Sequence, residues 1–269
     1  MGTTLSNPLI QLHYASLELL DDKHFSAHIF TWLSSEEQTR YGRFVSKQQA
    51  SQFLLARALL RSQLSKQVPA VQPHEWVFVT DEQGKPRLGD ELSYLDIHFN
   101  LSHSEELVVL AIAVGQDEKL ELGVDIECIH RPVFSLALAK RYFSEGECTD
   151  LIKLTGTQQS QRIAQLWTLK ESYLKASGLG ITVPLNKVRF EFEKGRVLNI
   201  QLSLPCILPL FVAERCSIGL FSLGQDYSLA LTITSYCGVN LSTVNINEWA
   251  GLRDEYLGLP YALLRKTKV

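Results

Sequence analysis

The chain has no run of apolar residues approaching the ~20 that a membrane-spanning helix needs, so no membrane partner is expected. It has no excess of basic charge: 26 Lys and Arg stand against 29 Asp and Glu, a formal net charge of −3. Nucleic acid, which calls for a basic surface, is therefore not an expected partner. Cysteine is sparse. The five (Cys128, Cys148, Cys206, Cys216 and Cys237) are scattered, odd in number and without C-x-x-C spacing. That pattern builds neither a structural zinc site nor a disulfide framework, and reduced thiols in a cytoplasmic protein are the expectation. The first twenty residues lack a basic stretch followed by an apolar one, so no secretory leader is expected there. Disorder is excluded by composition, since 45% apolar and 20% charged residues suit an ordinary core. At 269 residues the chain is one large domain or two small ones.

What is present falls into two halves with the same order of elements. After strand-like pieces such as Leu9–Tyr14, Ser34-Ser35-Glu36-Glu37 reads as a capping box opening a helix that carries Arg40 and Arg43. Ser46-Lys47-Gln48-Gln49 opens a longer helix to about Leu64, with Ala50, Phe53, Leu54, Ala58 and Leu59 as its buried stripe. Arg57 and Arg61 on that helix are expected on a solvated face. Trp76–Val79 is strand-like, Gly84-Lys85-Pro86 is a turn, and Ile97–His103 returns through Leu107–Ala113 as a hairpin. The second half repeats this: helices over 133–142, 144–154 and 159–176, then strands 188–192 and 198–202, then a hairpin from Ile218–Leu223 into Tyr227–Ile233. The expected fold is α+β, two similar α/β lobes in a pseudo-twofold arrangement with the active site at their junction. The expected division is 1–121, 122–237 and a C-terminal extension 238–269 with a short helix near Trp249–Tyr256.

Between the halves lies Leu122-Gly123-Val124-Asp125-Ile126-Glu127, a buried-strand pattern. Alternation aims Asp125 and Glu127 to one side and Val124 and Ile126 to the other. Two carboxylates leaving an apolar strand call for a hard divalent cation or basic partners, although an edge strand with a wet acidic face has the same pattern. The helix Leu166–Ala176 carries Trp167, Glu171 and Lys175 four apart on one face. Alone, Glu171 and Lys175 read as an i,i+4 ion pair. Beside the acidic strand, Glu171 would be a third metal carboxylate and Lys175 a phosphate partner.

Four pieces in this order resemble the 4′-phosphopantetheinyl transferases of the large, pseudo-dimeric class. They are Gly84-Lys85-Pro86, Phe99-Asn100-Leu101-Ser102-His103-Ser104, Gly123-Val124-Asp125-Ile126-Glu127, and Trp167-Thr168-Leu169-Lys170-Glu171-Ser172-Tyr173-Leu174-Lys175. Ala139–Glu147 fits the segment between the last two, and the resemblance covers roughly 35–235. It implies that a serine of an apo acyl, peptidyl or polyketide carrier protein attacks coenzyme A, taking the 4′-phosphopantetheine arm and releasing 3′,5′-ADP. It implies Mg²⁺, or Mn²⁺, held by Asp125, Glu127 and Glu171, with these three and Lys175 as the catalytic set. It implies that Arg40, Lys85, Ser102, His103 and Lys175 bind coenzyme A, with Lys175 at the pyrophosphate and His103 and Arg40 at the 3′-phosphate. The base is Glu171 or a metal-held water, with Glu147 a further candidate. Two lobes in one chain imply a monomer. Glu37 stands where some members carry lysine, a departure that shifts weight onto Arg40 and His103. Carrier proteins are acidic near their serine, so a basic face drawn from Arg40, Arg43, Lys47, Arg57, Lys140 and Arg141 is expected. A metal-dependent coenzyme A pyrophosphate hydrolase and a non-catalytic carrier-binding module are the two alternatives.

Overall fold

The computed structural model describes residues 8–81, 84–115, 120–178, 184–193, 196–202, 216–235, 239, 241, 244–251 and 261–266. The first lobe runs β1 (Leu9–Ser16), α1 (Lys23–Phe30), α2 (Ser35–Gly42), α3 (Lys47–Gln67), β2 (Phe78–Thr80), β3 (Pro86–Leu88), β4 (Ile97–Ser104) and β5 (Leu107–Val114). The second runs β6 (Glu121–Cys128), α4 (Leu136–Tyr142), α5 (Glu145–Ile152), α6 (Gly156–Ser177), β7 (Val188–Glu193), β8 (Arg196–Leu202), β9 (Cys216–Leu223) and β10 (Tyr227–Thr234). The final strands are β11 (Asn245–Glu248) and β12 (Tyr261–Lys266).

The sheets are ordered β11-β1-β5-β4 and β12-β9-β10-β6. In each lobe the last strand lies between the first and the penultimate one, antiparallel to both. That shared topology is the pseudo-twofold. Residues 238–269, read as an extension, supply a strand to each sheet: β11 pairs parallel with β1 and β12 antiparallel with β9. Trp249, Ala250 and Gly251, the described part of the expected terminal helix, are not helical, and the rest of that helix lies outside the described residues. Helix α1, which the sequence did not announce, is opened by Asp22, whose side chain accepts from the backbone of His24 and Phe25.

Alternation along β5 shows how the layers form. Val108, Leu110 and Ile112 pack on the α3 side with Leu55, Leu59 and Trp76. Leu107, Val109, Ala111 and Ala113 pack instead against Leu122, Val124 and Ile126 of β6 and Leu229, Leu231 and Ile233 of β10. The two sheets therefore meet face to face, with α3 on one outer face. Helix α6 covers the other through Leu166, Leu169, Tyr173 and Ala176. At Gly123 the fit is so close that a Cβ would stand 1.9 Å from the Ser172 carbonyl oxygen, and only glycine lets β6 and α6 meet there.

His13 on β1 is buried beside Gln11, and burial, helped by Lys66, lowers its pKa from 6.5 to about 4. The folded protein thus holds this imidazole neutral where the unfolded chain would protonate it. Stability should be fully present above pH 6.5 and decline as pH falls toward 4, by roughly 3 kcal/mol in all from this group. Urea melts of wild type and His13→Gln across that window test this. The variant should lose less on acidification, and parallel curves would refute the assignment.

Candidate active site

The edge strands β4 and β6 run side by side at the lobe junction, joined through side chains. Asn100 Oδ1 accepts from the Val124 backbone N–H at 2.8 Å. Ser104 Oγ accepts from the Cys128 N–H at 3.1 Å. The hydroxyl groups of Ser102 and Ser104 donate to Asp125 Oδ1 (2.8 Å) and Glu127 Oε2 (3.0 Å). Because the β4 side chains alternate, Asn100, Ser102 and Ser104 all reach β6. The first lobe thereby orients the carboxylates of the second.

Asp125 and Glu127 leave the side of β6 that faces α6, away from Val124 and Ile126, which lie in the sheet-to-sheet core. Lys175 does not serve the local pair its spacing suggested. Its ammonium crosses to β6 and β4, donating to Asp125 Oδ1 at 2.7 Å, Ser102 Oγ at 3.0 Å and the Val124 carbonyl at 3.1 Å. Asp125 Oδ2 is buried and has no hydrogen-bond partner. Glu127 Oε2 also accepts from Arg131 Nη1 at 2.7 Å, and Arg131 Nε lies 3.3 Å from Glu105 in the β4–β5 turn. Burial raises the Glu127 carboxyl above its ordinary range, with Asp125 adding to the rise. Burial raises Glu171 as well, with Asp125 and then Glu127 pushing the same way while Lys175 opposes. The three acids share one electrostatic neighbourhood.

A divalent cation suits this donor set. All three side chains offer hard oxygen, and a buried, unpartnered carboxylate oxygen facing like charges wants a cation. Among the described residues no three His, Cys, Asp or Glu side chains are gathered closely enough to hold a metal ion. An ion bound there would have to take the rest of its shell from substrate oxygens and water.

Of the other expected residues, His103 and Lys85 adjoin this cluster, and Arg40 packs against α3. His103 lies at the end of β4 with part of its surface open to solvent; partial desolvation of its ring and the Lys175 charge lower its pKa, while Asp125 opposes. Lys85 has its ammonium engaged by Glu121 Oε2 at 2.7 Å, the Leu122 carbonyl at 3.1 Å and the Lys175 carbonyl at 3.3 Å. Arg40 is exposed and stacks over Phe53, 5.1 Å from the ring centroid. Arg57 and Arg61, expected on a solvated face, are turned inward. Both pair with Glu37, Arg57 lies between Phe53 and Phe78, and Arg61 is 1% exposed. Glu37 and the aromatic rings hold both guanidinium groups inward, and Arg61 also donates to the Pro73 and Trp76 carbonyls. Glu37, the departure from the resembled pattern, is the acid that balances them.

Glu147 is not available as a base. It is sealed against Lys170 Nζ at 2.8 Å, and accepts from Ser144 N–H and Oγ–H and from the Phe190 N–H. The capping box visible in the sequence is half of that network; Lys170 is the half that periodicity could not reveal.

The arrangement defines a two-lobed α+β protein with an acidic cluster that takes its carboxylates and lysine from one lobe and their hydroxyl partners from the other. Residues 121–232 match the family model of the 4′-phosphopantetheinyl transferase superfamily, and residues 22–115 match that of the 4′-phosphopantetheinyl transferase N-terminal region. The chain is 30% identical over 210 residues to 4′-phosphopantetheinyl transferase Sfp of Bacillus subtilis (strain 168), covering 77% of this chain and 89% of the relative. It is 36% identical over 227 residues to 4′-phosphopantetheinyl transferase gsp of Aneurinibacillus migulanus, covering 80% and 90%. A more distant relative is the human L-aminoadipate-semialdehyde dehydrogenase-phosphopantetheinyl transferase, 28% identical over 179 residues, covering 63% and 55%. The chain belongs to the 4′-phosphopantetheinyl transferase superfamily. Among the described residues no helix is long and apolar enough to cross a membrane.

Proposed function

We propose that the groove between β4, β6 and α6 transfers the 4′-phosphopantetheine arm of coenzyme A to a serine of an apo acyl, peptidyl or polyketide carrier protein. The serine oxygen bonds to the β-phosphorus, the bond from that phosphorus to the bridging oxygen breaks, and 3′,5′-ADP departs. Such a transfer asks a protein mainly for positioning and for neutralising charge on the pyrophosphate. The observation that carries the reading is the Lys175 ammonium, held within hydrogen-bonding distance of both Asp125 and Ser102 where the two lobes meet.

Lys175 faces the pyrophosphate and stabilises the oxyanion that grows on the leaving group. Ser102 fixes Asp125 through its hydroxyl, and His103 and Arg40 receive the nucleotide end. The serine proton goes to Glu171 or to a water beside it. Mg²⁺ or Mn²⁺ held by Asp125, Glu127 and Glu171 would supply the remaining positive charge against the pyrophosphate oxygens. Carrier docking falls to the exposed cations, Arg43 and Lys47 near the start of α3 and Lys140 and Arg141 at the end of α4.

Incubation with coenzyme A, Mg²⁺ and a panel of apo carriers, read by intact mass, tests the reading. A carrier gaining the phosphopantetheine mass supports it. Release of 4′-phosphopantetheine without any carrier would identify a hydrolase instead, and carriers that bind but never gain mass would identify a binding module.

A further inference from the structure

The β2–β3 hairpin of the first lobe reaches across to the second lobe with two cations. Asp81 organises it, accepting from the Lys85 backbone N–H at 2.8 Å and from Arg87 Nε at 3.2 Å. Glu121, the first residue of β6, is then held on both oxygens, by Lys85 Nζ at 2.7 Å and Arg87 Nη2 at 3.1 Å. Lys85 also donates to the Leu122 carbonyl at the start of β6 and to the Lys175 carbonyl in the last turn of α6. An ammonium has three donors, and all three are spent. The Lys175 carbonyl is one of the four at the end of α6 that lack an intrahelical partner, where a cation is favoured. The same residue's side chain reaches Asp125 and Ser102.

We propose that Lys85 is a positioning residue rather than a nucleotide contact. Anchored by Glu121, it clamps the end of α6 to the start of β6 from the opposite lobe, fixing the backbone from which Lys175 reaches Asp125. This rests on the reading that Lys175 serves the transfer.

The full chain carrying Lys85→Met, Glu121→Gln or both is assayed with coenzyme A and with 3′-dephospho-coenzyme A, well below the melting temperature, and melted in parallel. Each single variant should lower kcat about tenfold through misplacement of Lys175. KM for coenzyme A and its preference over the 3′-dephospho form should move less than about twofold, and the double variant should be no worse than the poorer single one. A raised KM with lost 3′-phosphate preference in Lys85→Met, and no change in Glu121→Gln, would make Lys85 a nucleotide contact and overturn the proposal. Lower melting temperatures with kcat intact would also overturn it, leaving only a structural tie. Were the wild type to transfer nothing, the proposed function would fail while melting still decided the clamp: non-additive shifts support it and additive shifts refute it.

Discussion

Asp125→Asn is expected to cut transfer by about 10³-fold, some 4 kcal/mol of transition-state stabilisation, while leaving the fold intact. The loss follows from what the carboxylate holds. Oδ1 gathers Ser102 and Lys175, and Oδ2 is the buried oxygen without a partner. Removing the charge frees Lys175 from its fixed place and takes a hard ligand from any cation. Stability should behave differently. Asp125 raises the carboxyl groups of both Glu127 and Glu171, so the wild-type groove concentrates like charge. Neutralising one member relieves that repulsion and offsets the lost ion pair with Lys175. The melting temperature should therefore move by no more than about 3 °C in either direction, the pattern of a site that trades stability for function. Steady-state kinetics with one apo carrier, together with a thermal melt, reads both quantities. Transfer retained within about tenfold would remove Asp125 from the catalytic set. Lost transfer with a collapsed melt would instead make the carboxylate a fold residue.

The parts of this groove that were legible in the sequence share one property: the signal lies within a single element. Strand alternation put Asp125 and Glu127 on one side and Val124 and Ile126 on the other, and helical spacing put Glu171 and Lys175 on the face beside the buried Leu166, Leu169, Tyr173 and Ala176. Capping boxes at Ser34 and Ser144 located α2 and α5 correctly. What escaped is long-range. Lys175 could have paired with Glu171 by spacing, yet it bonds a residue fifty positions earlier, because β6 lies directly under α6 at Gly123. Arg57 and Arg61 look like surface charge until Phe53 and Phe78 fold over them. The parallel pairing of β11 with β1 spans almost the entire chain, and four residues reading Asn-Ile-Asn-Glu carry no strong strand signal. Periodicity reports which way a side chain leaves its own element and is silent about what it meets.

Lys170→Met should cost about 3–5 kcal/mol, the largest stability loss expected outside the apolar core. Lys170 is 0% and Glu147 2% exposed, so neither charge has water to fall back on. Lys170 donates to Glu147 and to the Leu185 and Val188 carbonyls, and lies near the faces of Phe143 and Phe190. Glu147 in turn holds the start of α5 through Ser144 and the backbone of β7 through Phe190. One pair therefore ties α5, α6 and β7 together. Removing the lysine alone strands a carboxylate and two carbonyl groups in an apolar setting, where desolvation is uncompensated. Glu147→Gln added to Lys170→Met should recover about half of the loss, because glutamine keeps an acceptor for the Phe190 N–H and removes the unpaired charge. Equilibrium unfolding in urea measures both variants. An unchanged midpoint for Lys170→Met would show that water reaches the pair and that the network is not what holds α6. A double variant no better than the single one would mean that the carbonyl groups left by Lys170, rather than the buried Glu147 charge, carry the cost.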